Sequence, residues 1–177
     1  MELHLARELH YDFDNPWPYA KLFVYSDNEL AFGFYIETPK KTQSDVQEYL
    51  HWRNFRDRLQ NNTAMREALM TAMENHNLVM TDYYRQKSGG ALGCRFAFRE
   101  GHLQQWKPGN SDWQDVDVEH LIHRIAQLPE DKWVDLHIFA TIKQEQAIDM
   151  ADKVVFSILS VLRALVPVYE MTISEKF

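Results

Sequence analysis

The chain has 177 residues, 45% of them hydrophobic and 13% aromatic, with 26 acidic against 19 basic side chains and a formal net charge of −7. That length suits one domain, 1–177, able to bury roughly two thirds of the surface its unfolded form exposes, and the composition excludes a disordered segment. The negative balance works against long-range attraction to phosphate, and the single cysteine, Cys94, excludes an internal disulfide and a multi-cysteine zinc site.

The opening residues, MELHLARELHYDF, carry charges every few positions and lack the basic start and apolar run of a secretory signal. Asn15-Pro16-Trp17-Pro18 reads as an entry turn, because each proline fixes its own φ and extends the residue before it. Residues 20–25 and 30–37 then read as a strand pair around the polar connection Ser26-Asp27-Asn28-Glu29. In the second strand Leu30, Phe32, Phe34 and Ile36 alternate with Ala31, Gly33, Tyr35 and Glu37, so one face is apolar and the other small or polar. Ser44 with Gln47 forms a capping-box signature for a helix carrying Val46, Leu50, Phe55 and Leu59. A second helix is predicted over Ala64–His76, capped by Thr63, with Leu69, Met70 and Met73 on one side.

Residues 78–84 predict a strand that turns at Ser88-Gly89-Gly90 into the strand Cys94–Arg99, and HLQQW, 102–106, predicts a short third strand before Pro108-Gly109. Asp117 caps a short helix over 117–128, with Leu121, Ile125 and Leu128 at helical spacing and Pro129 closing it. Residues 133–142 alternate Val134, Leu136, Ile138, Ala140 and Ile142 against Trp133, Asp135, His137, Phe139 and Thr141, the pattern of a long central strand. One helix over 144–165, ended by Pro167, carries Ile148, Ala151, Val155, Ile158, Leu162 and Leu165 as the main core stripe. Its apolar run, Val154–Val168, is shorter than the roughly 20 residues of a membrane span, so no membrane association and a cytoplasmic, reducing location are expected. The order of elements predicts an α+β fold, with an antiparallel or mixed sheet of five to six strands and helices mainly on one face.

Four constellations could carry chemistry. His120 and His123 beside Glu119, with His137, invite a metal, but HExxH spacing is absent and two solvated histidines on a helix explain the pattern as well. Asp82, Glu100, Asp135 and Lys143 approach the acidic-plus-lysine set of a metal-dependent nuclease without its compact spacing. Cys94 shares a strand face with Phe96 and Phe98 and reads as a small core hydrophobe; Ser88–Gly93 lacks the Lys-Ser/Thr of a phosphate loop. The most coherent polar set is basic and aromatic. Arg53 and Arg56 share a helix face, Arg95 and Arg99 share a strand face, and Tyr35, Trp52, Tyr84 and Trp106 are candidates to lie nearby, a combination suited to an anionic ligand that also stacks. The alternative is that these arginines pair with the surplus carboxylates.

The closing stretch LHIFATIKQEQAIDMADKVVFSILSVLRALVPVYE, with FGFYIE and WRNFRDRL before it, resembles a bacterial α+β domain type that also occurs as accessory domains preceding McrB-type restriction ATPases. That resemblance implies a recognition module in anti-phage defence. The chain departs from it in having no ATPase motif, and no functional residue carries over. The resulting expectation is a non-enzymatic binding domain without a cofactor, recognising a nucleotide or nucleic acid through Arg53, Arg56, Arg95, Arg99, Tyr35 and Trp106. Two alternatives stand beside it: a metal-dependent hydrolase using Asp82, Glu100, Asp135 and a histidine, and a protein-interaction subunit or homodimer that buries the apolar final helix.

Overall fold

A computed structural model describes residues 20–26, 29–37, 46–85, 91–128 and 134–173, with backbone only at 21, 46–50, 84–85 and 91–92. The Asn15–Pro18 turn, the Ser44/Gln47 box, the Ser88-Gly89-Gly90 turn, Pro129 and Trp133 lie outside the described residues. The fold is α+β. Strands β1 (Ala20–Ser26), β2 (Glu29–Glu37), β3 (Val79–Arg85), β4 (Ala91–Leu92), β5 (Arg95–Arg99), β6 (His102–Trp106), β7 (Gln114–Asp115) and β8 (Val134–Lys143) form one sheet. Its order is β1-β2-β8-β3-β5-β6-β7, with β4 beside β3, and every pairing is antiparallel. Five or six of these strands are legible from alternation. The two-residue β4 and β7 are polar or clipped segments held only by their neighbours.

β8 is central, paired along nine residues to β2 and along six to β3. This follows from its alternation: Val134, Leu136, Ile138 and Ile142 are buried on the same side as Leu30, Phe32, Phe34 and Ile36. The helices α1 (Val46–Asn61), α2 (Thr63–Asn75), α3 (Val118–Ala126), α4 (Gln144–Met150) and α5 (Lys153–Glu170) cover that side. Phe55 of α1 stacks on Phe34, 5.9 Å between ring centroids, and Trp52 lies against Phe55. Among the described residues no helix is long and apolar enough to cross a membrane.

Helix ends depart from the sequence reading in three places. The cap of α2 is Asn62, whose side-chain oxygen accepts from Met65 N at 3.1 Å, and Thr63 is already helical. At its other end Asn77 takes φ 49°, and the bonds Leu78 N to Met73 O and Asn77 N to Glu74 O complete a Schellman motif that drops Leu78 into the core. The predicted final helix is two helices: Ala151, at φ 47°, separates α4 from α5, although no glycine marks the break. Pro167 does not end α5. The helix continues to Glu170 because Val168 and Met171 beyond it are fully buried, and that packing outweighs the lost hydrogen bond. Asp117 caps α3 as expected, accepting from His120 N at 2.7 Å.

Asp82 joins sheet to helices. It is 1% exposed on the helix-covered side, and its carboxylate accepts from Arg124 Nε at 2.8 Å and from Cys94 N at 2.7 Å. In the other direction Asp82 N donates to Cys94 O. One of the two ladder bonds between β3 and its neighbour is thus replaced by a side-chain carboxylate, and that carboxylate also holds α3.

Candidate functional site

The second face of the sheet carries no described helix, and the register aligns its side chains. Tyr35 pairs with His137, His137 with Thr81, Thr81 with Arg95 and Arg95 with Trp106, so one row crosses β2, β8, β3, β5 and β6. At the β2/β8 end the row is polar and tightly bonded. The Tyr35 hydroxyl is directed at Glu37 Oε2 and at Asp135 Oδ1, 3.1 Å from the latter. Burial first, then the hydrogen bond that the Glu37 carboxylate accepts from it, push the Tyr35 phenol well above its ordinary range, so it stays a donor at any physiological pH. The His137 ring sits edge-on among Tyr35, Phe23 and Phe139, with centroids 4.7, 6.3 and 6.4 Å away.

At the other end the face is basic and aromatic. Arg95 lies 5.4 Å over the Trp106 ring and Arg99 lies 5.0 Å over the Trp113 ring. Trp106 is fixed in turn by its Nε1–H, which donates to Asn110 O at 3.1 Å. These arginines follow from strand alternation: Phe96, and across the ladder Leu103 and Gln105, face the helices, which leaves Arg95, Arg99 and Trp106 outside.

The remaining candidates separate. Arg53 and Arg56 sit on α1, in the helical layer on the other side of the sheet from Arg95 and Arg99, so the four do not form one surface. Arg56 reaches Asp57 at 3.6 Å. Trp52 is buried in the core at 1% exposure, and the side chain of Tyr84 lies outside the described residues. Tyr35 shares the open face with Trp106 but stands at the opposite end of the row.

The histidines separate as well. His120 bonds Gln105 at 3.1 Å and His123 bonds Gln127, Glu119 is paired with Arg66 at 2.7 Å, and His137 lies on the far face. Of the nuclease-like set, Asp82 faces the helices and Asp135 the open side, while Glu100 forms the β5–β6 turn with Gly101. Among the described residues no three His, Cys, Asp or Glu side chains are grouped to hold a metal ion.

Cys94 is buried, and burial followed by the Asp82 charge raises its thiol above the ordinary value. Iodoacetamide is therefore expected to alkylate Cys94 about tenfold more slowly, or slower still, in the native protein than in urea. Equal rates, read by mass spectrometry, would show an open and reactive thiol.

The sequence places Val155 in the core stripe and offers a partner-covered final helix only as an alternative; the last two helices in fact carry a second, exposed apolar face. α5 buries Val154, Val161, Leu165 and Val168, yet Val155, Phe156, Leu159 and Val166 are exposed, as is Ile148 on α4. Phe156 is 72% exposed and Ile148 70%. The spacing held the signal: Val155, Leu159, Leu162 and Val166 follow one another by four, three and four residues, a seam separate from the buried stripe. Trp113 was also missed, since nothing local tells that a loop indole meets a strand arginine. An open cleft of about 400 Å³ between α5 and the end of β8 presents His76, Asn77, Thr141, Ser157 and Ser160, with no carboxylate, lysine or arginine among its described lining.

Comparison of the chain with protein-family models, curated proteins and solved structures found no match to any of them.

Proposed function

We propose that the chain is a non-enzymatic interaction subunit that self-associates through the outer face of α4–α5, placing the apolar seam of one copy against the same seam of a second. The observation that carries this reading is the stripe of large apolar side chains left in solvent on the helix that also anchors the core. Scattered exposed apolar residues are ordinary, but a contiguous stripe at heptad-like spacing loses free energy until it is covered.

A second copy fits that stripe because the pattern is self-complementary. In an antiparallel pairing about Leu159, Arg163 of one copy falls opposite Val155 of the other, within one helical turn of Asp152, whereas parallel copies would set Arg163 against Arg163 and Lys153 against Lys153. Such a dimer doubles the open sheet face, which suits a recognition module of the kind the restriction-associated resemblance implies.

Sedimentation equilibrium tests the proposal. The wild-type chain is expected to shift from 21.0 kDa toward twice that mass as concentration rises through the micromolar range. Leu159→Glu is expected to weaken association at least roughly a hundredfold, because it buries an unpaired carboxylate twice per isologous interface. Its melting temperature at high dilution should match that of the wild-type monomer, since Leu159 is outside the core. A wild-type chain that remains monomeric throughout would overturn the reading.

A further inference from the structure

We infer that the β5–β6 end of the open sheet face, formed by Arg95, Trp106, Arg99 and Trp113 with Thr81, is a binding site for single-stranded nucleic acid. The inference is independent of self-association, since this surface is a sheet face and the apolar seam lies on α4 and α5.

The first argument is where two cations are placed in an acidic protein. With 26 carboxylate side chains in the chain, an exposed arginine finds an acidic partner easily, as Arg66 does with Glu119 and Arg124 with Asp82. Arg95 and Arg99 do otherwise. Among the described residues neither has a carboxylate within ion-pair distance, and each is laid over an indole. A guanidinium on a ring keeps its in-plane N–H donors available, and those donors match phosphate oxygens bidentately. With one indole face taken by the guanidinium, the outer side of the guanidinium plane, backed by the ring, is the flat surface on which a base stacks.

The second argument is Thr81. It is the register partner of Arg95, it is 5% exposed, and its Oγ1 has no hydrogen-bond partner among the described residues. A buried hydroxyl without a partner is uncommon, and a phosphate oxygen or base edge arriving beside Arg95 would satisfy it.

The third argument is repetition. The Cα positions of Arg95 and Arg99 are four residues apart on one strand, about 13 Å. Two cation-and-ring units at that separation are matched by a ligand that itself repeats charge and ring, which a nucleotide strand does and a mononucleotide does not. Duplex DNA keeps its bases paired and stacked, so it offers phosphates but no free ring face. The nearby Glu100, Asp112 and Asp115 and the overall charge of −7 limit the electrostatic contribution, so binding is modest in strength and only shallowly salt-dependent.

Fluorescence anisotropy of a labelled twelve-nucleotide oligo(dT), with the matching duplex and free thymidine monophosphate as competitors, tests the site on the full chain. Two neutralised phosphates predict a log–log salt slope of about −1.4, a loss of about sevenfold in affinity between 50 and 200 mM salt. Arg99→Ala is expected to halve that slope. Trp113→Ala is expected to weaken binding about tenfold or more while leaving the slope unchanged, a separation that a general loss of structure does not produce. Both variants should melt with the wild type, which circular dichroism checks. Absence of an anisotropy change at low salt, equal competition by the duplex or by the mononucleotide, or wild-type affinity in both variants would each overturn the inference.

Discussion

Arg124→Met is expected to lower folding stability by about 3–5 kcal/mol, because it strands a buried carboxylate while leaving apolar packing nearly intact. Asp82 is 1% exposed and receives two bonds from Arg124, at 2.8 and 3.3 Å, and one from Cys94 N. Without the guanidinium, one backbone N–H remains to offset the loss of hydration. Arg124 is about a quarter exposed on its side chain, so the reverse change, Asp82→Asn, returns the cation partly to water and retains an acceptor for Cys94 N; its cost should be distinctly smaller. Urea unfolding followed by circular dichroism reads both as shifts of midpoint at constant slope. An Arg124→Met protein within about 1 kcal/mol of wild type would mean that the buried Leu121, Ile122 and Ile125 and the other contacts of α3 suffice to hold it, and that the ion pair contributes no net stability.

The asymmetry between those two variants illustrates what could be read from the chain before its fold was known. Period-two alternation at 30–37 and 133–142 specified both strands, the apolar side of the first and the central place of the second, because a one-residue slip would turn every apolar side chain to the wrong face. Asp117 was legible as a cap since a cap is a local hydrogen bond. The role of Asp82 was not, because its partners lie 12 and 42 residues away, and a carboxylate in a strand has the same local appearance whether buried or solvated.

The arginine set divided for a related reason. Alternation placed Arg95 and Arg99 opposite Phe96, but it could not say that Arg53 and Arg56, one layer away, would ride on α1, which covers the other side. On α5 apolar residues occupy more than half the circumference, so two stripes satisfy helical spacing equally well. Val155 and Leu162 were assigned to the core, while the sheet in fact takes Val154, Val161 and Leu165. Only the surfaces that α5 meets, β2, β1 and α2, decide between the stripes, and they are distant in sequence.

Gly33→Ala gives the sharpest opposition between local propensity and tertiary contact. Gly33 lies in the middle of β2 with no left-handed φ, so by backbone entropy alone alanine should stabilise the strand by about 0.5–1 kcal/mol. The fold places the central strand against it: a Cβ at this position would stand 2.1 Å from Ile138 O and 2.6 Å from Phe139 Cα. Both obstacles are main-chain atoms of β8, which is itself held between β2 and β3, so neither can yield as a flexible side chain would. Steric overlap should therefore outweigh entropy, with a net loss of about 3 kcal/mol or more. At this chain length that corresponds to a fall in Tm of roughly 6–12 °C. Ala31→Val, two residues away on the same face, only partly buried and already carrying a Cβ, provides the control for added bulk, and it should stay within about 0.5 kcal/mol of wild type. A Gly33→Ala protein that melts above wild type would mean that β2 and β8 do not approach as closely as this register requires. A fall confined to Gly33→Ala would establish that glycine is kept there to let the two central strands meet.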